Sequence, residues 1–230
     1  MSVSKKTLYG FSFLLSQSLI SSLLAVTFYG IAARFLPTVS DFGIMTSLIM
    51  IGGLFSVIFS FAMDNGMVKY VADAVGKNRL DIASGLIKKI LALFVLLASV
   101  AATTNYLLAH LVSNLLLGSS DYVFLFQLLS IDIFFVTLFI GVIGSLQGLQ
   151  KFDKIAFISL TYNLIKYLGA IVLLVLGTQL IGIVVAWIIA SATALIFSIF
   201  TIKKFLVKSA PSIKVKTLFS YSAPLYGMDM

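Results

Sequence analysis

Six stretches of this chain are each long and apolar enough to cross a lipid bilayer. They cover residues 8–33, 42–63, 88–109, 122–146, 155–176 and 180–202. Each holds the ~20 residues that a helix needs to cross a hydrocarbon core ~30 Å thick. Of the 230 residues, 60% are apolar and 10% are charged, whereas roughly 25% are charged in a typical soluble domain. A soluble globule could not bury so much apolar surface, so the sequence predicts an all-α polytopic membrane protein.

The positively charged residues alternate between the connections of these spans. Of the 16 basic residues, 14 precede span one or lie at the connections after spans two, four and six. They are Lys5, Lys6, Lys69, Lys77, Arg79, Lys88, Lys89, Lys151, Lys154, Lys203, Lys204, Lys208, Lys214 and Lys216. The other connections hold only Arg34. Because basic residues are retained in the cytoplasm, we expect a cytoplasmic amino terminus in the cell membrane. The net charge of +8 is then a topology signal and does not indicate a nucleic-acid partner.

Span six carries a small side chain at every fourth position. The series is Gly182, Ala186, Ala190, Ala194 and Ser198. Residues four apart share one face of a helix, and small residues there allow two helix backbones to approach closely. Span four contains a second set of small residues, Gly141, Gly144 and Gly148. We interpret both sets as sites of helix packing.

Two charged residues are expected near the middle of the membrane. Asp132 lies about ten residues into span four and Lys166 about eleven residues into span five. At 1.5 Å per residue, both are roughly 15 Å deep, where isolated charges pair or face water. Either the two form a buried ion pair that registers two helices, or Lys166 and Asn163 line a polar cavity. We favour the cavity, because a purely structural pair has little reason to be ionic in lipid.

Span one ends near a further basic residue, Arg34. It follows Lys6 by 28 residues, or ~42 Å of helix, which matches the ~40–45 Å between the two headgroup regions. Four small or polar residues share its helix face, namely Ser12, Ser16, Thr27 and Gly30. Two interpretations stay open: Arg34 is an interfacial anchor, or it stands at the mouth of a polar cavity.

The first residues of span one recur near the end of the chain. Residues 6–12 read KTLYGFS and residues 216–222 read KTLFSYS, so four of seven positions are identical and two exchange Tyr for Phe. Six spans separate the copies, so the second copy would begin a seventh helix as a parallel repeat. We therefore predict a six-helix lobe, residues 1–205, followed by a cytoplasmic linker and the start of helix seven, residues 206–230. A second lobe would be missing or supplied by a partner.

Several short segments resemble motifs of the Wzx-like polysaccharide-biosynthesis flippases. They are residues 33–37 (ARFLP) with 40–43 (SDFG), 64–72 (DNGMVKYVA) in the loop after span two, 145–152 (SLQGLQKF) and 219–226 (FSYSAPLY). Pro37 departs from this pattern, because the family usually has glycine there. The flippases belong to the MOP exporter superfamily, together with the lipid II flippase and the MATE exporters. The resemblance extends over essentially the whole chain.

The resemblance implies the amino-terminal half of a two-lobed transporter with a cationic cavity. Its cargo would be a lipid-linked oligosaccharide, such as an O-antigen, exopolysaccharide or other glycan repeat unit, turned to the outer leaflet by alternating access. Lys166 and Arg34 would contact its phosphate groups. Asn163, Ser16, Thr27 and Ser12 would bind sugar hydroxyls, and Asp132 would bind a coupling proton or sodium ion. We expect no cofactor and no metal, because the chain lacks cysteine and glutamate and has one histidine.

Three other functions remain as alternatives. A MATE-like drug or cation antiporter has the same fold, but a cationic drug favours an acidic cavity, and Asp132 is the only deep acid. A non-transporting structural membrane protein is the second alternative. We do not expect an enzyme, because the chain has one histidine and no cysteine or glutamate, too few for the common catalytic and metal sites. The reading frame beyond Met230 and neighbouring glycosyltransferase genes would discriminate among these functions.

Overall fold

The computed structural model describes residues 3–60 and 63–207. Within these ranges the chain forms seven helices and no strand. They are α1 (Val3–Phe35), α2 (Val39–Ser60), α3 (Met63–Gly76), α4 (Leu80–Leu117), α5 (Val123–Gly148), α6 (Phe152–Val175) and α7 (Gln179–Lys203). All except α3 are long and apolar enough to cross a membrane, which confirms the predicted all-α polytopic fold with six spans. The second copy of the repeat and the predicted start of helix seven lie outside the described residues.

The short helix α3 is an element that the sequence analysis missed. We treated the residues after span two as a loop, but 14 of them form a helix, which at ~21 Å is too short to cross the bilayer. Met67, Val71 and Ala74 recur at helical spacing and are buried, whereas Lys69 is exposed. Such an amphipathic helix is not found by a search for long apolar spans.

The fourth helix is longer than the span predicted from hydropathy. The prediction covered residues 88–109, but α4 has 38 residues, or ~57 Å, more than the ~40–45 Å of a bilayer with its headgroups. Asp81, Lys88 and Lys89 lie in its first turns, and these charges concealed the start of the helix. The helix ends at Gly118, whose φ of 66° is a left-handed conformation that glycine adopts without strain.

The central helix of the bundle is α5. It packs against α2, α3, α4 and α7 and makes a smaller contact with α6. In turn, α6 packs against α7 and α1, while α1 makes only a slight contact with α2. Two apolar cores occupy successive parts of the bundle, one around Phe28 and Phe126 and the other around Phe94 and Ile87. The first helix therefore joins the bundle mainly through α6.

The two ends of the bundle differ in charge. We call the end that carries Lys77, Arg79, Lys151 and Lys154 the basic end, because it contains the α3–α4 and α5–α6 connections. We call the opposite end, with the α1–α2, α4–α5 and α6–α7 connections, the far end. The positive-inside rule predicts that the basic end is cytoplasmic.

The small residues predicted to mediate helix packing are buried, as expected. All five members of the α7 series and all three α5 glycines are buried. In α5, a Cβ added at Gly148 would stand 2.7 Å from Cβ of Val71 in α3. Real Cβ contacts are longer than this, so α3 packs closely on α5 because residue 148 has no side chain.

We expect Gly148→Ala to destabilise the protein by about 1–3 kcal/mol, because the added methyl group overpacks the α3–α5 contact. The matched control is Gly53→Ala in α2, where an added Cβ meets no atom within 4 Å. Thermal unfolding of the purified variants in detergent measures the difference. Equal melting temperatures for the two variants would contradict the packing argument.

A labelling experiment tests the orientation of the bundle. The sequence contains no cysteine, so single cysteines report without background. Lys77 at the basic end and Ser120 at the far end are both exposed. In whole cells, we expect an impermeant thiol reagent to label Ser120→Cys and not Lys77→Cys. The reverse pattern would overturn the predicted orientation.

Candidate functional site

Polar side chains meet where α5, α6 and α7 come together. The group consists of Asp132 of α5, Tyr162 and Lys166 of α6, and Trp187 and Ser191 of α7, and we call it the junction site. Asp132 interacts electrostatically with Lys166 and lies near the Ser191 hydroxyl. The two charged residues that the sequence analysis assigned to the same depth therefore belong to one group.

Aromatic rings surround the Lys166 ammonium. Its Nζ atom lies 5.5 Å from the ring centre of Tyr162, 5.9 Å from that of Tyr167 and 5.4 Å from that of Trp187. Within about 6 Å, a ring face attracts a cation through its quadrupole. The side chain of Lys166 is only partly buried. The rings thus position the ammonium and do not cancel its charge.

The Asp132 carboxylate is buried and incompletely bonded. Its residue is 7% exposed, and its Oδ1 atom has no hydrogen-bond partner. The three ion pairs that join one described residue to another all lie at the basic end, and none joins Asp132 to Lys166. The direct ion pair of our first alternative is therefore not formed between these residues.

The aromatic residues of the junction site were missed by the sequence analysis. Tyr162 precedes Lys166 by four residues, so helical spacing offered a signal for it. It also contacts Phe139 of α5, with ring centres 5.4 Å apart. Trp187 offered no such signal, because its proximity to Lys166 depends on how α7 packs against α6.

Asn163 faces α1 and not the junction site. Its Nδ2 atom donates hydrogen bonds to Ser21 Oγ at 3.0 Å and to the Ser159 carbonyl oxygen at 2.9 Å. The side chain of Gln17 donates to the same Ser21 hydroxyl at 3.0 Å. These bonds join α1 to α6, so the Asn163 amide nitrogen is already occupied in helix packing.

The α1 residues predicted to bind substrate are spread over 18 positions of their helix, from Ser16 to Arg34. Ser16, Thr27 and Arg34 are exposed, and Thr27 donates its hydroxyl to Leu23 O of its own helix at 2.8 Å. Arg34 follows Ser21, the residue that contacts α6, by 13 positions, or ~20 Å. It lies near the far end, which is compatible with both interpretations left open for it.

Comparison with known proteins identifies one relationship. The model of a family described as "Polysaccharide biosynthesis protein" matches residues 7–229. A search of curated proteins found no match. A search of solved structures found none either.

We expect Ser21→Ala to weaken the α1–α6 contact, because it removes the hydroxyl that accepts from both Asn163 and Gln17. Hydrogen bonds between membrane helices contribute about 0.6 kcal/mol on average and at most about 1.7 kcal/mol. The control is Ser22→Ala, since Ser22 is exposed and donates only to Ser18 O of its own helix. The free energy of unfolding in mixed detergents provides the measurement. A loss of the same size in both variants would contradict the assigned role of Ser21.

Proposed function

This chain belongs to the polysaccharide biosynthesis protein family, and from this membership we propose that it flips a lipid-linked oligosaccharide across the cytoplasmic membrane. Family and fold together support a multi-pass membrane transporter of the flippase type. The finer proposal rests on one observation, the Lys166 ammonium at the junction site. It is a positive charge inside the bundle that no carboxylate of the described residues contacts in an ion pair.

The chemistry of the cargo makes a fixed internal cation useful. A lipid-linked oligosaccharide carries its negative charge on the phosphate groups between lipid and sugar. An ammonium group binds phosphate through charge-assisted hydrogen bonds, as a point charge with three donors. We propose that Lys166 contacts these phosphates when the headgroup is midway across, while the lipid tail stays in the bilayer.

The other proposed contacts are arranged in sequence along the bundle. Ser16, Thr27 and Arg34 extend over 18 positions of α1, or ~27 Å. A single pocket does not accommodate them together with Lys166. We propose instead that they contact the cargo in succession, with Arg34 receiving the phosphates at the far end. Asn163 contributes its amide oxygen to sugar hydroxyls, because its nitrogen is bonded to α1 and α6.

Alternating access requires a second half that closes against the first. The α1 helix leaves Leu19, Leu23 and Val26 exposed, at 67%, 69% and 71%. We propose that residues 1–205 form one lobe and that residues 206–230 lead into a second lobe. A second copy of the chain would also cover this face, as would the lipid bilayer itself. In either case the basic end lies in the cytoplasm and the far end opens to the outside.

Replacement of Lys166 tests the proposed phosphate contact. We expect Lys166→Ala to reduce flipping of lipid-linked oligosaccharide in reconstituted vesicles roughly 10- to 100-fold, the size of one charge-assisted hydrogen bond. Lys166→Arg should retain part of the activity, since the charge survives with altered geometry. Lys154→Ala, at an exposed lysine of the basic end, should leave flipping unchanged.

A double variant distinguishes a role of Lys166 and Asp132 in transport from a purely structural role of their charges. If Lys166 only balances Asp132, each single neutral substitution should destabilise the protein by ~3–5 kcal/mol. Lys166→Met combined with Asp132→Leu would then restore both stability and transport. A double variant that is well folded and fully active would refute the proposed roles of both residues. One that is stable and inactive supports them.

A further inference from the structure

Two buried polar atoms of the junction site have no hydrogen-bond partner. They are Oδ1 of Asp132, in a residue 7% exposed, and Nε1 of Trp187, in a residue 2% exposed. One is an acceptor and the other a donor, and both side chains lie near Lys166. Buried polar atoms in native proteins are almost always bonded, and internal water commonly provides the missing partner. The junction site therefore fits a small hydrogen-bonding species between α5, α6 and α7.

The charges around Asp132 are few. From α6, Lys166 and Tyr162 interact with it. From α7 comes Ser191, which does not titrate, and Trp187 lies beside Lys166. Among the described residues of α2, α3 and α4, no titratable side chain acts on the carboxylate. Nor does the described part of the chain group three or more His, Cys, Asp or Glu side chains into a metal site. Asp132 is thus a single acid beside a single fixed cation.

We infer that Asp132 is a proton-binding site that excludes sodium, with internal water bridging its carboxylate to Lys166 and Trp187. A hard cation needs several oxygen ligands, and the junction site offers only the Asp132 carboxylate and the Tyr162 and Ser191 hydroxyls. A bound metal ion would also lie beside the Lys166 ammonium, which repels it. A proton needs one oxygen only and removes a charge instead of adding one.

The proposed step is a simple protonation. A proton from bulk water adds to a carboxylate oxygen of Asp132, which becomes a neutral carboxylic acid and donates to the bridging water. Loss of the same proton restores the anion, which the Lys166 ammonium then balances through that water. As the coupling ion of transport, this proton depends on the proposed flippase function. The binding of the proton does not.

The single tryptophan of the chain makes this site observable. Trp187 is the only tryptophan in the sequence, and its ring lies 5.4 Å from Lys166 Nζ. In lipid nanodiscs, the emission of the purified protein should change with pH as one proton is bound. At constant pH and ionic strength, exchange of choline for sodium should leave the emission unchanged. On acidification, the infrared spectrum should gain the carbonyl band of a buried carboxylic acid, at a higher frequency than the band of the exposed aspartates.

Two matched substitutions test whether the emission change and the infrared band come from Asp132. Asp132→Asn should abolish both the pH-dependent emission and the buried-acid component of the infrared band, while the component from the exposed aspartates remains. Asp121→Asn, at an exposed residue of the far end whose carboxylate accepts from Ser119 Oγ, should retain both. Should Asp132→Asn fail to fold, the proton and sodium responses of the unaltered protein and its infrared band still decide the question.

Two results would overturn the inference. One is an emission change on addition of sodium that Asp132→Asn removes, which would show a sodium site. The other is an unaltered protein without a pH response and without the buried carboxylic acid band. Neither measurement requires a lipid-linked substrate. A normal proton response with unimpaired flipping by Lys166→Ala would therefore refute the proposed substrate contact and leave the proton site standing.

Discussion

The absence of water in the bilayer interior is the constraint on which this structure depends. Backbone groups there must bond within the protein, which helices achieve internally. Many hydroxyl side chains follow the same rule and donate to a carbonyl four residues earlier, as do Ser22, Thr27, Thr161, Thr193 and Thr201. These hydroxyl groups are therefore hydrogen-bonded within their own helix and need no partner from a neighbouring helix. The helices are consequently held together mostly by close packing of their surfaces.

Close packing at small residues places α5 at the centre of the bundle. Lipid is as apolar as a leucine side chain, so helices associate in it through close packing and a few polar contacts. A Cβ at Gly141 would lie 2.7 Å from the ring of Phe94, so α4 approaches α5 through this glycine. Gly148 receives α3 in the same way, and the small-residue face of α7 is buried as well. Through these two glycines α5 receives both α3 and α4, and it has the most neighbours in the bundle.

Among the described residues, few polar side chains make contacts between helices. Some of these contacts fix how two helices pack, and others form the candidate functional site. Asn105 of α4 donates to the Phe126 carbonyl oxygen and to Ser130 Oγ of α5, both at 2.8 Å. Asn163 joins α6 to Ser21 of α1. These two contacts satisfy donors and hold helices together. The junction site differs, because it places opposite charges inside the bundle, which structural packing does not require.

The sequence by itself determined the six spans, the packing face of α7 and the common depth of Asp132 and Lys166. Hydropathy and helical period are properties of a single segment, so they can be read without knowing its neighbours. Only the tertiary structure decided that aromatic rings surround Lys166 and that Asn163 faces Ser21. A helix can rotate about its axis, or exchange neighbours, without any change in hydropathy. The partner of a side chain is therefore a property of the assembled bundle.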